Sequence, residues 1–180
     1  MLKSKLRKKI LKFRKIKNKK NIKLSFDKLF SLLNKYSNFK KSVGGYYPVN
    51  YEVDDLNILK KLKEKNYKIS LPVIKNNYGM DYYEWYFDSP LKINKFGIPE
   101  PNSKKIIYPD IILIPLVAFD ENLNRLGYGG GYYDRLIEKL SKKKKILKIG
   151  LGLSIQKINK IPVTKYDKKL DHIITEKFIL

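Results

Sequence analysis

The chain has 180 residues, 43% hydrophobic and 13% aromatic, a composition that suits one globular domain and excludes a disordered polymer. Cysteine is absent, so disulfides and thiolate metal sites are excluded, and no apolar run approaches the ~20 residues that span a bilayer. The formal charge of +23 invites a nucleic-acid reading, but only Arg7, Arg14, Arg125 and Arg135 among the 40 basic residues are arginine. The lysines are spread along the chain, with short runs at Lys17 to Lys20 and Lys142 to Lys145, and no RNA-recognition or zinc-finger spacing accompanies them. A solvated lysine coat is the favoured reading of the charge.

The start, Met1 to Lys20, is basic but has no continuous apolar stretch of the ~7–15 residues a secretory signal needs. The absence of acidic residues before Asp27 is a feature of mitochondrial leaders, against which the stretch is poor in Arg and Ser. Leu2, Leu6, Ile10 and Phe13 recur at spacings of three and four, predicting a helix from Leu2 to about Asn18 with one apolar stripe. Lys3, Arg7 and Arg14 fall on a neighbouring stripe, so one edge of this helix can present cations together. A second helix is expected over Ser25 to Tyr36, and a strand over Val43 to Tyr47, where Gly44-Gly45 permits close backbone approach. Asp54 is the candidate N-cap of a helix running to about Lys65.

Strands are then expected at Lys68 to Ile74 and Met80 to Phe87, followed by a Pro/Gly-rich connection from Ser89 to Pro101. Asp110 to Pro115, with four consecutive aliphatic residues, reads as a strand buried on both faces. A helix from Arg135 to about Lys142, a strand at Ile146 to Leu151 and a last short strand at His172 to Thr175 complete the pattern. Strands alternating with helices predict α/β layers around a mostly parallel, mixed sheet: a single three-layer αβα domain, Rossmann-like, over residues 1–180.

The chemistry concentrates in Ile111 to Arg135, IILIPLVAFDENLNRLGYGGGYYDR, where a buried strand leads through a loop to a glycine cluster that opens a helix. Ligands of open α/β sheets gather beyond the carboxyl ends of strands. Gly127, Gly129, Gly130 and Gly131 let backbone N–H groups approach an anion, and the following helix adds its N-terminal amides and dipole. Arg125 and Arg135 bracket the loop with guanidinium forks suited to phosphate, and Asp134 adds a hard oxygen for Mg²⁺. A flexible surface turn is the competing reading of the glycines alone. Two of four arginines at this loop in a lysine-dominated chain argue against it. The loop lacks the Lys-Ser/Thr of a P-loop, and Tyr132 stands where a dinucleotide fingerprint needs its last glycine.

These motifs resemble the 5-formyltetrahydrofolate cyclo-ligase family, also called methenyltetrahydrofolate synthetases, over nearly the whole chain. The resemblance rests on Lys3-Ser-Lys-Leu-Arg7, on Tyr46-Tyr47-Pro48 with Glu52-Val53-Asp54, and on Leu71-Pro72. It continues through Gly97-Ile98-Pro99-Glu100-Pro101 and Pro115 to Asp120, and most specifically through Arg125 to Arg135. Gly150-Leu-Gly152, Gln156, Ile161-Pro162, Asp167 and Asp171 to Glu176 complete it. One departure is Tyr166 before Asp167, where relatives often carry histidine.

The resemblance implies an ATP-dependent ligase that closes 5-formyltetrahydrofolate to 5,10-methenyltetrahydrofolate, releasing ADP and phosphate through a phosphorylated formyl group. Lys3, Arg7, Arg125, Leu126, Gly127, Tyr128, Gly129, Gly130, Gly131, Tyr132 and Tyr133 would hold ATP, and Asp134 and Asp167 would hold Mg²⁺. Arg7, Tyr47, Glu52, Tyr128, Gly129, Gly130, Gly131 and Tyr132 would line the folate pocket. Arg7, Arg125 and Arg135 would act catalytically, stabilising charge on the transferring phosphoryl group. The expected partners are ATP and the folate, in mono- or polyglutamylated form, with no membrane and no specific nucleic acid, and the expected setting is a cytoplasmic monomer. A basic RNA-associated α/β protein, or a related fold binding a sugar phosphate or coenzyme A, is the alternative. His172, Trp85 and Glu100 are read as structural: a histidine near a terminal strand, a sheet-packing indole and a loop anchor.

Overall fold

The computed structural model describes residues 2–17 and 22–180, without the side chain of Leu2. Helix α1 (Leu2–Lys17) is followed by α2 (Phe26–Asn34), β1 (Ser42–Gly44), α3 (Leu56–Glu64), β2 (Lys68–Ile74) and β3 (Met80–Glu84). A hairpin of β4 (Leu91–Ile93) and β5 (Pro99–Pro101) precedes β6 (Ile106–Ile107) and β7 (Ile111–Pro115). A second hairpin, β8 (Ala118–Phe119) and β9 (Arg125–Leu126), leads to α4 (Tyr132–Ser141), β10 (Leu147–Leu151) and β11 (His172–Ile174).

The main sheet has seven strands in the order β11-β10-β7-β1-β2-β3-β6. From β11 to β2 every neighbouring pair is parallel, and β3 is antiparallel to both β2 and β6, so the sheet is mixed and mostly parallel as expected. Strand β7 shows why. Its Ile111 and Leu113 join the core beneath α2 and α3, and its Ile112 and Ile114 join the core beneath α4. A run that is apolar at every position is buried on both faces, which requires helices on both sides. Apolar residues at helical spacing supply them: Leu29, Leu32 and Leu33 from α2, Ile58, Leu59 and Leu62 from α3, and Leu136, Ile137 and Leu140 from α4. Among the described residues no helix is long and apolar enough to cross a membrane.

Several boundaries differ from the sequence expectation. The strand predicted to reach Tyr47 ends at Gly44 because the Tyr46 amide donates to Asp55 Oδ2 (3.0 Å), drawing the chain off the ladder. Asp54 still accepts from the Leu56 amide (2.9 Å), but Asp55 occupies the N-cap position of α3. The aromatic strand stops at Glu84 instead of Phe87, and α4 begins at Tyr132 instead of Arg135. The Ser89 to Pro101 connection is partly the β4–β5 hairpin, turned at Gly97 (φ 74°) and anchored by buried Glu100, which accepts from the Ile74 amide (3.2 Å).

Helix α1 is the largest departure. Ile10 is buried, but Phe13 of the expected apolar stripe is 46% exposed, and Arg14 is buried instead at 1% exposure. The helix lies across the β8–β9 hairpin, with Ile10 packed among Val117, Ala118, Leu126 and Ile161. Its inward face therefore runs Lys3, Arg7, Ile10, Arg14, each separated by three or four residues. Leu2 of that predicted stripe and the helix end expected at Asn18 lie outside the described side chains and residues.

Gly44 marks the tightest crossing of the sheet: a Cβ there would sit 2.5 Å from the Tyr82 ring, and Tyr82 is itself buried. Gly44→Ala is expected to lower stability by about 1–3 kcal/mol, the usual range for overpacking a filled core. The denaturant midpoint at unchanged slope reads this directly, and a midpoint equal to that of the parent protein contradicts the packing described.

Candidate active site

The order of strands places a topological switch between β1 and β7. From β1 the chain crosses through α3 to β2 on one side, whereas β7, entered later, lies on the other. Loops leaving the carboxyl ends of these two strands diverge and open a crevice, the usual ligand position of such sheets. The loop after β1 carries Tyr46 to Glu52, and the segment after β7 carries the β8–β9 hairpin and then the glycine loop, Gly127 to Gly131.

Two glycines of that loop have left-handed backbone, Gly129 (φ 106°) and Gly131 (φ 66°), and Gly131 occupies the N-cap position of α4. Glycine is needed there for conformation and for space. A Cβ on Gly129 would lie 3.2 Å from Arg7 Cζ, and one on Gly131 would lie 2.7 Å from Arg135 Nη1. Arg7 Nε donates to the Gly127 carbonyl (2.7 Å), so α1 delivers a guanidinium onto the loop. Arg135 folds back over it, donating to the Gly130 carbonyl and, through Nε, to Tyr78 O (3.1 Å), between the rings of Tyr78 and Tyr132. The loop thus has unencumbered backbone, a helix N-terminus beneath it and a cation on each side, the elements of a polyphosphate site.

Arg125 behaves differently from Arg7 and Arg135. It is 7% exposed and turned inward, with Nη2 on Asp134 Oδ1 (2.7 Å) and Nη1 on the Lys168 carbonyl. Asp134 Oδ1 also accepts from the Lys168 amide (3.0 Å), and Asp167 Oδ2 pairs with Lys3 Nζ (2.7 Å) and accepts from the Thr164 amide and hydroxyl (2.6 and 2.9 Å). Burial raises the Asp167 carboxyl, but the Lys3 and Thr164 bonds outweigh it and leave the group below its ordinary range. Asp134 is thereby tied to the backbone of Lys168, the residue after Asp167. Among the described residues no cluster of three or more His, Cys, Asp or Glu forms a metal centre. Asp134 Oδ2 and Asp167 Oδ1 take no hydrogen bond from the described residues, so each carboxylate has one oxygen to offer. Two such hard oxygens beside the glycine loop fit Mg²⁺, which commonly draws the rest of its shell from phosphate and water.

On the other side of the crevice, Asn50 and Tyr51 are both left-handed (φ 50° and 62°), and this turn presents Glu52 inward. Glu52 is 6% exposed, and its Oε2 accepts from the Val49 amide (2.9 Å). Burial pushes its carboxyl up to about 7, against the opposing influence of the Val49 amide, the Arg14 charge and the Tyr128 hydroxyl. Arg14 spans this region from α1, donating to Leu116 O (3.1 Å), Asn50 O (2.7 Å) and the Tyr128 hydroxyl. Tyr47 is half-buried on the same loop.

Residues 1–176 match the family described as the 5-formyltetrahydrofolate cyclo-ligase family. The chain belongs to the 5-formyltetrahydrofolate cyclo-ligase family. It is 31% identical to the 5-formyltetrahydrofolate cyclo-ligase of Haemophilus influenzae over 141 residues, covering 74% of this chain and 75% of that protein. The solved 5,10-methenyltetrahydrofolate synthetase of Aquifex aeolicus superposes with a TM-score of 0.76 at 32% identity, covering 99% of this chain and 92% of that one. That of Mycoplasma pneumoniae superposes at 0.73 and 27%, covering 98% and 99%. As a cyclo-ligase family member the chain is an enzyme, a ligase of folate one-carbon chemistry.

The cyclo-ligase motifs that are far apart in sequence meet around one crevice. Arg7 reaches the Gly127 carbonyl, Lys3 reaches Asp167, the neighbouring Lys168 amide reaches Asp134, and Glu52 reaches Tyr128. Arg14 is absent from the residues expected to form the site, although the cationic stripe Lys3, Arg7, Arg14 was the signal that could have found it. The residues read as structural keep that character in their contacts: His172 bonds Tyr36 and the Leu180 carbonyl, and Trp85 is buried in the core against Phe87.

The Arg125–Asp134 pair is expected to hold the 134–168 corner together. Arg125→Met should cost about 3 kcal/mol, the low end for breaking a buried pair, because Asp134 is partly exposed. Equal denaturant midpoints for the variant and its parent contradict this. Glu52 supplies a pH signature. Because its folded-state carboxyl is raised, the protonated form stabilises the fold, fully below the unfolded value near 4.5 and progressively less as pH rises through about 7. Relative to Glu52→Gln, the parent should lose about 3 kcal/mol between those limits. A pH-independent difference between the two unfolding free energies contradicts the burial of an ionisable Glu52.

Proposed function

We propose that this protein closes 5-formyltetrahydrofolate to 5,10-methenyltetrahydrofolate at the expense of Mg-ATP, releasing ADP and phosphate, with residues 1–180 acting as one domain. The observation that carries this reading is the Gly127–Gly131 loop, left-handed at Gly129 and Gly131, opening α4 and held between Arg7 and Arg135. The membership of the chain in the cyclo-ligase family supports the choice of folate. A cysteine-free enzyme with these substrates is placed in the cytoplasm by the same reading.

The formyl oxygen of the substrate is an amide oxygen and a poor leaving group. Transfer of the γ-phosphoryl group of ATP to that oxygen converts it to a phosphate ester. The N10 amine then attacks the formyl carbon and loses its proton, and the carbon–oxygen bond breaks with departure of phosphate. The N–H groups of the glycine loop and of α4 bind phosphate oxygens, and Arg7 and Arg135 stabilise the charge on the transferring group. Arg125 holds Asp134 and the Lys168 backbone, so its contribution is to position that corner. Mg²⁺ held by Asp134 and Asp167 would supply neutralisation of phosphate charge. Lys3 sets the Asp167 carboxylate, and Tyr47, Glu52 and Tyr128 form the folate side of the crevice. Holding both ligands across one crevice supplies the orientation on which such a transfer depends.

The test is absorbance growth of the methenyl chromophore from 5-formyltetrahydrofolate. It should require both ATP and Mg²⁺. Arg7→Ala should lower kcat/KM by about tenfold to a hundredfold, the loss of one charge-assisted hydrogen bond, with the secondary structure unchanged. Asp134→Asn should raise the Mg²⁺ requirement. A flat trace from folded protein, or full activity without ATP, overturns the proposal.

A further inference from the structure

We infer that Arg14 is a positioning residue that ties the Asn50–Glu52 turn to the glycine loop and so aligns the folate side of the crevice with the nucleotide side. The inference rests on the function proposed above and adds to it a residue that is enclosed by the fold.

Arg14 is among the largest fully buried side chains, at 1% exposure. Desolvating a guanidinium is costly unless acceptors surround it. The acceptors come from three separate parts of the chain: the Leu116 carbonyl after β7, the Asn50 carbonyl in the turn after β1, and the Tyr128 hydroxyl in the glycine loop. Its guanidinium also lies 5.7 Å from the centre of the Tyr128 ring. Two of those segments follow β1 and β7, the strands at the topological switch, and the third is the glycine loop. Asn50 and Tyr51 are consecutive left-handed residues, a conformation that costs free energy at each non-glycine position and persists only where its surroundings impose it. The bond from Arg14 to Asn50 O is such an imposed contact, and Glu52 is the residue the turn presents. Lysine has one nitrogen where the fork has two terminal ones, so it cannot span the same three acceptors.

Charge coupling follows the same geometry. Among the described residues, the titratable and charged groups that face Glu52 are Arg14 from α1, Tyr128 from the glycine loop, Tyr133 from α4, and Tyr46 and Asp55 from its own segment. Arg14 is the cation of this group. Removing it takes a positive charge away from Glu52 and makes its proton harder to remove.

The experiment compares Arg14→Lys, Arg14→Met and Glu52→Gln, and the Arg14→Met/Glu52→Gln double variant, by KM for each substrate, by the pH profile of kcat/KM for the folate and by thermal midpoint. Arg14→Lys and Arg14→Met should raise KM for 5-formyltetrahydrofolate about tenfold while KM for ATP stays near that of the parent. In Arg14→Met the inflection due to Glu52 should move to higher pH. In Arg14→Lys it should stay, because the charge is kept. On the Glu52→Gln background, Arg14→Met should move no inflection. If Arg14→Met does not fold, Arg14→Lys and Tyr128→Phe, which removes one acceptor, should still raise the folate KM selectively. A lower thermal midpoint with unchanged kinetics, or equal losses toward both substrates, assigns Arg14 a purely structural role and overturns the inference while the proposed function stands. An inactive parent enzyme overturns both.

Discussion

Burying a guanidinium demands acceptors in fixed positions, and this protein does so twice where strand β7 ends. Arg14 and Arg125 are both under a tenth exposed, and both reach backbone carbonyls outside the strands. An uncompensated buried charge is among the most costly defects a fold can carry. The loops that supply the acceptors are therefore tied to these side chains. Arg14 fixes the turn after β1 against the glycine loop, and Arg125 fixes the start of α4 against residues 167 and 168. Segments distant in sequence become one rim by this means.

Around that rim the basic groups divide by burial. Arg7 and Arg135 lie against carbonyls of the glycine loop, that of Gly127 part-buried and that of Gly130 exposed. Lys3 sits over Asp167, itself partly exposed. The inner pair of arginines sets geometry and the outer pair remains available to a ligand. The same division explains why α1 does not pack as a simple amphipathic helix. It lies over the carboxyl ends of the strands, and its inward face meets loops that end in carbonyls, so arginine at positions 7 and 14 suits that face better than a large apolar side chain.

Much of the architecture was legible in the chain itself. The run Ile111–Pro115 could be buried only on both faces, and the leucine spacings of α2 to α4 provided the layers that cover it. The glycine loop stood out as a candidate phosphate site because clustered glycines open a helix and two of the scarce arginines flank them. The Phe13 reading failed because periodicity reports which residues share a face and not what that face meets. The end of β1 was misplaced because Asp55, far from the ladder, captures the Tyr46 amide.

The amino-acid sequence alone determined the layers, the strand-to-glycine-loop motif and the likeness to folate cyclo-ligases, since each depends on local periodicity or on residues close together in the chain. Only the tertiary structure decided which arginines face outward and which are enclosed. Arg125 and Arg135 flank one motif symmetrically, yet Asp134 and the Lys168 carbonyl draw the first inward, while the second lies over Gly130 between two tyrosine rings. The role of Arg14 was hidden for the same reason: its acceptors, Asn50, Leu116 and Tyr128, come from three loops that approach one another only after the sheet forms. Spacing along a chain carries no record of that approach.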